Sequence, residues 1–294
     1  MCTLLGKSRS GAALLVSNSD DPYAIRNQLV CASATPYAYV AVRVVTEGPE
    51  TGVPWNRMLT RGINSAGLAF TYAYVHEPGN ETPPPQRWPE ALLAECADVA
   101  AGVEFIQRRV GEVLSGNYLL ADRSATVAAV EISQTRVSIR HPEGGLLVCT
   151  NQWERLPMQA PDRWGAQTAR ERFSRGKALF ERDTADLADG FRAARDHVDR
   201  GRDADRSYGI SICNHGRVEG TISSEVADPA RSWLWWTYGW PCGAARGYEA
   251  LSRVPWGRYV AFDAGKVSAD GEVTTLDGLI TPLGIGLLAA VESG

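Results

Sequence analysis

The grouping of short apolar runs constrains this chain more than any other feature. Met1-Cys2-Thr3-Leu4-Leu5 and Ala12–Val16 flank the polar turn Lys7-Ser8-Arg9-Ser10-Gly11, the pattern of a β-hairpin that opens at the first residue. Tyr37–Val45 and Leu68–Val75 are further strand candidates, rich in β-branched and aromatic residues. A loop marked by His76-Glu77-Pro78-Gly79 and Pro83-Pro84-Pro85 ends this group, because such a stretch does not pair in a sheet. Helical periodicity over Glu90–Leu114 then begins just after a proline. Asn117–Ala121, Thr126–Ile132, Arg136–Arg140 and Leu146–Thr150 are spaced as antiparallel meanders. Gln167–Phe180 and Thr184–Val198 read as helices, and strands return at Ser207–Cys213 and Arg217–Ser224. Strands in consecutive groups with helices between them predict an α+β fold, helices layered on antiparallel sheet. Nothing in the pattern offers a repeat or a linker, so one domain over 1–294 is expected.

Composition narrows the function. The chain has 294 residues, 34 acidic and 30 basic, for a formal charge of −4. That balance disfavours a protein that lives on nucleic acid or on an anionic membrane. The six cysteines, at positions 2, 31, 96, 149, 213 and 242, are too dispersed for a disulfide scaffold, and no CxxC pair suggests zinc. Ala12–Val16 is too short for a signal peptide, and no run reaches the length of a membrane span. A cytoplasmic protein with reduced thiols is the expectation. No nucleotide loop or metalloprotease motif is present, so neither metal nor cofactor is expected.

Cys2 is the residue with the most chemistry. An initiator methionine is removable when the next residue is small, and the chain would then begin with a thiol and a free α-amine on one Cα. An α-amine has a reference pKa of about 7.7–8.0 and a thiol about 8.5, so the terminus suits the task of base for its own thiol. The thiolate could attack an amide carbonyl and form a thioester.

The rest of the sequence resembles a family, the N-terminal-nucleophile (Ntn) hydrolases of the linear-amide type. These include choloylglycine hydrolases, penicillin V acylases and isopenicillin-N acyltransferase-like proteins. The matching segments are Met1-Cys2-Thr3, Ser17-Asn18-Ser19-Asp20 (similar to Arg-Asn-x-Asp) and Gly62-Ile63-Asn64-Ser65-Ala66-Gly67-Leu68. Leu119-Leu120-Ala121-Asp122 with Val130-Glu131, and then Thr150-Asn151, continue in family order. Ser211-Ile212-Cys213-Asn214-His215 and Thr221–Pro229 are similar to the acyltransferase-like branch.

The resemblance implies a four-layer αββα sandwich of two antiparallel sheets flanked by helices. It implies Cys2 as nucleophile and base, and Asp20 as the carboxylate that holds the nucleophilic end, with the adjacent Asp21 as the alternative. Asn151 would present its side-chain NH₂ to the oxyanion, and the backbone N–H of Tyr74 would be the second donor. The family's arginine before Asn-x-Asp is Ser17 here, and Arg206 is the candidate for a later substrate-contacting arginine. The implied activity is cleavage of a linear amide, with acyl transfer to an amine as the alternative. The departure at Ser17 also keeps open a catalytically silent binding protein on the same scaffold. The implied partner is a small-molecule amide, with homo-oligomerisation possible in principle.

Other signals have plainer readings. Ser174-Arg175-Gly176-Lys177 matches S-x-x-K, but no Ser-Asp-Asn or Lys-Thr-Gly follows. Cys213 and His215 would share one side of a strand, as a thiol–imidazole pair or as structure. Trp233-Leu234-Trp235-Trp236-Thr237-Tyr238-Gly239-Trp240 divides its rings between core packing and an aromatic wall for an acyl group, with Trp235 the candidate wall residue. Trp88, in the Pro83–Pro89 loop, is the candidate for shaping the substrate mouth.

Overall fold

The computed structural model describes residues 1–22, 25–46, 56–77, 87–158, 163–180, 185–198, 209–216, 219–243, 258–267 and 273–274. Two antiparallel sheets face each other. The first contains β1 (Cys2–Arg9), β2 (Ala12–Pro22), β10 (Leu146–Cys149), β11 (Glu219–Asp228), β12 (Trp233–Tyr238) and β13 (Val260–Asp263), in the order β10-β1-β2-β11-β12-β13. The second contains β3 (Ile25–Ala32), β4 (Tyr39–Thr46), β5 (Leu59–Asn64), β6 (Ala69–Tyr74), β7 (Gly116–Ala121), β8 (Val127–Ile132), β9 (Val137–Arg140) and β14 (Val273–Thr274), in the order β14-β3-β4-β5-β6-β7-β8-β9.

Alternation along the strands builds the layers, because successive side chains leave a strand on opposite faces. Leu4, Ala13 and Leu15 join Val40, Val42, Leu119 and Trp236 in the core between the sheets. Leu5, Leu14 and Val16 face outward instead, under α3 (Arg163–Phe180) and α4 (Leu187–Ala194). The outer face of the second sheet packs Phe70, Tyr72, Leu120 and Val130 against α1 (Trp88–Glu95) and α2 (Val99–Gln107). The four layers expected from the resemblance are therefore α3/α4, sheet, sheet, α1/α2.

Several elements depart from the sequence reading. The stretch 90–114 is two helices, because Asp98 caps α2 through Ala101 N–H at 2.8 Å and Asp122 accepts from Val99 N–H at 2.9 Å. The chain pauses there to satisfy those donors. Residues 209–213 form turns and bends, where a strand is expected over Ser207–Cys213. Leu146–Thr150 does not extend the meander; β10 crosses over and pairs with β1, Leu4 opposite Cys149. β3 and β5 have no counterpart among the expected strands. Both carry polar side chains that are buried, among them Asn27, Arg61 and Asn64, and these break the apolar pattern.

The asparagines of the sequence motifs act as clamps. Asn18 donates to the carbonyls of Ala194 at 2.9 Å and Ile212 at 2.8 Å, tying β2 to the end of α4. Asn64 donates to Leu93 and Cys96 at 2.8 and 2.7 Å and accepts from Leu68 N–H, which fixes the turn into β6. Gly67 in that turn sits at φ +97°, and a Cβ there would lie 2.6 Å from the Pro229 carbonyl. Among the described residues, no helix is long and apolar enough to cross a membrane.

Candidate active site

Cys2 begins β1 at the mouth of the sandwich, paired with Ser19 of β2. Its backbone N–H donates to Asn151 Oδ1 at 2.7 Å. Asn151 lies just beyond β10, the strand beside β1, so pairing of those strands brings two residues 149 apart in sequence into contact. The Asn151 side chain is fixed on every side. Its Nδ2 donates to the Tyr74 carbonyl at 2.7 Å, and its Oδ1 also accepts from Arg172 at 3.0 Å. Asn117 of β7 donates to the carbonyls of Thr150 and Gln152, both at 2.8 Å, and so grips the backbone on either side of it.

Two buried arginines flank Cys2. Arg61, from β5 of the opposite sheet, places Nη2 3.5 Å from the Cys2 sulfur and pairs with Glu225 at 3.1 Å. Its Nε donates to Ser17 Oγ at 3.3 Å, and Ser17 donates in turn to Glu225 at 2.8 Å. Burial opposes the Arg61 charge, but Glu225, Cys2 and Asp21 outweigh it and raise its pKa. Thus a guanidinium stands beside Ser17, supplied from a different strand than the Arg-Asn-x-Asp pattern would give. Arg172, on α3, donates to the Cys2 carbonyl and to Thr3 Oγ1, and its Nε donates to Gly209 O at 3.0 Å. Burial pulls its pKa down, with Asp20 and Cys2 opposing.

Asp20 and Asp21 separate by strand alternation. Asp20 turns toward the helical layer, where its carboxylate accepts from Asn214 Nδ2 at 2.5 Å and Thr221 Oγ1 at 2.6 Å. A bulge in β11 between Thr221 and Ser223 makes this possible. It lets Thr221 follow Asp20 outward while Ser223 follows Ser19 inward. Full burial raises the Asp20 pKa to about 6, against the opposing pull of the N-terminal amine, Arg172 and its two hydrogen bonds. The chain's terminal amine donates to the Asp20 carbonyl, and Asp20 N–H donates back to Met1 O at 2.7 Å. Asp21 lies on the inter-sheet side, where it accepts from Ser19 Oγ at 2.9 Å and acts electrostatically on Arg61.

The remaining sequence candidates lie elsewhere. Trp88 opens α1 with its ring edge-on to Tyr118, 5.1 Å between centroids, in the layer outside the second sheet. Trp235 packs edge-on to Phe191 of α4 at 5.5 Å, in the layer outside the first sheet, so the structure does not bring it to Cys2. Trp236 takes the inter-sheet face, as alternation requires. Arg206 lies outside the described residues. Ser174 and Lys177 are exposed on α3. The sequence reading missed Arg61, Arg172, Asn117, Asn214, Thr221 and Glu225. Arg61 directly precedes the Gly62–Leu68 motif, and Asn214, Thr221 and Glu225 lie within the quoted C-terminal motifs. No such signal marks Arg172, whose place depends on the docking of α3.

Two facing antiparallel sheets between helical layers, with a strand-end cysteine at their mouth, define an Ntn-hydrolase sandwich. The chain belongs to the acyl-coenzyme A:6-aminopenicillanic acid acyl-transferase family, whose family model matches residues 7–241. It is an enzyme of this acyl-transferase family. Its fold is similar to that of a C2A mutant of conjugated bile acid hydrolase from Clostridium perfringens, with TM-score 0.55 and 13% identity over 94% of this chain and 96% of that one. It is also similar to penicillin V acylase from Agrobacterium tumefaciens, with TM-score 0.52 and 16% identity over 94% of this chain and 91% of that one. No curated protein matches the sequence.

Proposed function

We propose that this enzyme cleaves a linear amide by means of an N-terminal cysteine uncovered by removal of Met1. The observation that carries the reading is the bridge made by Asn151 between Cys2 N–H and the Tyr74 carbonyl, 2.7 Å at each end. It unites three of the four expected site residues through one side chain.

In the proposed reaction the Cys2 thiol gives its proton to the α-amine on the same residue, and the sulfur bonds to the substrate carbonyl carbon. The electron pair of the carbonyl moves to oxygen. Asn151 has two amide hydrogens; one is anchored on Tyr74, which fixes the plane in which the other would meet the oxyanion, with the Tyr74 N–H as second donor. A donor of this kind is worth about 2.7–4 kcal/mol in the transition state. Collapse breaks the C–N bond, the leaving amine takes the proton from the α-ammonium, and a thioester remains. Water, deprotonated by the amine, then releases the acid and restores the thiol.

Arg61 reaches the Cys2 sulfur from across the sandwich, and Arg172 holds the Cys2 carbonyl, so that the nucleophile keeps its orientation. Asp20 anchors the N-terminal segment and supplies a nearby negative charge for the ammonium formed in the first step. The substrate is a small acyl or aminoacyl amide.

The description of the family gives a second reading its support. If a bound amine reaches the thioester before water, the product is a new amide. A rising amine-adduct to free-acid ratio with hydroxylamine concentration supports transfer; a constant ratio supports hydrolysis.

The proposal is tested by intact mass of the untagged protein, with and without a thiol-reactive β-lactone. Loss of one methionine residue and one adduct mapped to Cys2 is expected. Retention of Met1 on the whole population leaves no α-amine at Cys2 and overturns the mechanism.

A further inference from the structure

Outside the site just described, three side chains converge at the far end of the Asp20 network. Cys213 Sγ and Cys242 Sγ each lie 3.2 Å from His215 Nε2, and the three atoms fall within 4.8 Å of one another. We propose that Cys213, His215 and Cys242 bind a divalent transition metal of the zinc class, with a fourth position open to solvent or an exogenous ligand.

The geometry suits such an ion. Zinc–sulfur bonds near 2.3 Å and zinc–nitrogen bonds near 2.0–2.1 Å, set tetrahedrally, put sulfur and nitrogen about 3.5 Å apart. Both sulfur–nitrogen separations here are within a few tenths of an ångström of that edge. The imidazole Nε2 has one lone pair, yet two sulfurs crowd it. A thiol hydrogen bond to that lone pair satisfies one of those contacts, whereas an ion at the centre engages all three side chains. Two sulfurs with one imidazole form a soft donor set, which favours zinc over calcium or magnesium.

The surroundings are built as well. The His215 ring is stacked on Trp240 at 4.1 Å between centroids and 13° between planes, with His197 on its other flank at 5.5 Å. Those contacts fix the plane in which Nε2 points. Cys213 is buried and its N–H donates to Asp196 O at 2.8 Å, while His215 and Cys242 are half-buried, which leaves an approach from solvent. Cys213 and His215 reach the cluster from a bend over 209–216 and Cys242 from the turn after β12, so tertiary structure adds the second thiol.

Asn214, between two of the ligands, is the residue that donates to the Asp20 carboxylate. An ion bound by its neighbours would brace the bend that holds Asp20. On binding, the two thiols lose their protons to solvent and coordinate as thiolates.

Cobalt(II) titration of the full-length protein in a non-thiol reductant tests the site. The Cys2→Ala variant is titrated alongside, since an N-terminal cysteine is itself a chelator. One equivalent is expected to bind in both proteins, with a sulfur-to-cobalt charge-transfer band and the intense visible bands of a tetrahedral ion. His215→Ala and Cys242→Ser, each introduced with Cys2→Ala and each checked for a native far-ultraviolet spectrum, should weaken binding at least about tenfold and abolish the charge-transfer band. Absence of the band in Cys2→Ala overturns the proposal, as does its persistence in both double variants. Formation of a Cys213–Cys242 disulfide in air, with no metal taken up by the reduced protein, also overturns it.

Discussion

Arg61 and Cys2 come from opposite sheets and meet across the sandwich, with Arg61 Nη2 3.5 Å from the Cys2 sulfur. The same guanidinium is neutralised by Glu225 at 3.1 Å, and both side chains are buried. Glu225 keeps the buried cation beside the sulfur from standing uncompensated. Four groups, Ser17, Ser223, Glu225 and Arg61, share this arrangement through hydrogen bonds of 2.6 to 3.3 Å.

Replacing Arg61 by methionine should separate its two roles. The lost ion pair leaves the Glu225 carboxylate buried without its cation, at a cost of about 3–5 kcal/mol in urea unfolding. Adding Glu225→Gln should recover part of that stability. The rate of Cys2 alkylation should stay below wild type in both variants, because the contact of Arg61 Nη2 with the sulfur is lost. Alkylation at the wild-type rate in the double variant would assign Arg61 to folding alone.

Asn151→Ala removes the acceptor for Cys2 N–H and Arg172 together with the amide hydrogens. A fall of about 10²–10³ in kcat is expected, with KM changed far less. Asn151→Asp keeps the acceptor but places an anion beside a developing oxyanion, and should be no faster. Turnover by Asn151→Ala within twofold of wild type would remove Asn151 from the chemistry.

Asp20 sets a pH dependence. Its pKa is raised to about 6 by burial, against 3.8 for an ordinary aspartate. The folded protein therefore holds that proton more tightly than the unfolded chain. The stability it contributes is complete below about pH 4 and is lost as pH rises through 6, a change of about 3 kcal/mol. Denaturant midpoints measured from pH 4 to 7 should show this loss, and Asp20→Asn should flatten it. Ionised Asp20 is the form that answers the ammonium at Cys2, so kcat/KM should rise through an acid limb near pH 6 that Asp20→Asn lacks.

Gly190 lies where α4 touches β2, and a Cβ there would come within 2.7 Å of Leu14 and 3.3 Å of Val16 and Val226. Alanine is the better helix former by about 0.8–1.0 kcal/mol, but overpacking costs about 1–3 kcal/mol. The steric cost should win, and Gly190→Ala should lower the midpoint of thermal unfolding. A raised midpoint would mean that α4 shifts without penalty.

Much of the architecture was legible because apolar period and turn chemistry agree. The first hairpin, β6 to β9, α3, α4 and β12 all follow from runs of the right residues between the right breakers. β3, β5, β13 and β14 stayed hidden, and the first two share one reason. They carry buried polar side chains, Asn27 with Ser223 at 2.6 Å and Arg61 with Glu225, whose partners lie on another sheet. A polar residue looks like a breaker until its partner is known. The bend at 209–213 misled in the opposite sense, since Ile210 and Ile212 alternate as in a strand. Its backbone instead serves side chains, with Gly209 O accepting from Arg172 and Ile212 O from Asn18.

By itself the sequence pointed to Cys2 as the candidate nucleophile, to most of the strands and helices, and to the motifs that hold their turns. These depend on local chemistry: a thiol at position 2, alternation along strands, helical periodicity, and turn residues between apolar runs. Only the tertiary structure decided which charges surround Cys2 and which second thiol joins Cys213 at His215. Arg61, Arg172 and Cys242 reach those places through sheet stacking, helix docking and a turn. Contacts that depend on where whole layers settle carry no signature in the spacing of residues along the chain.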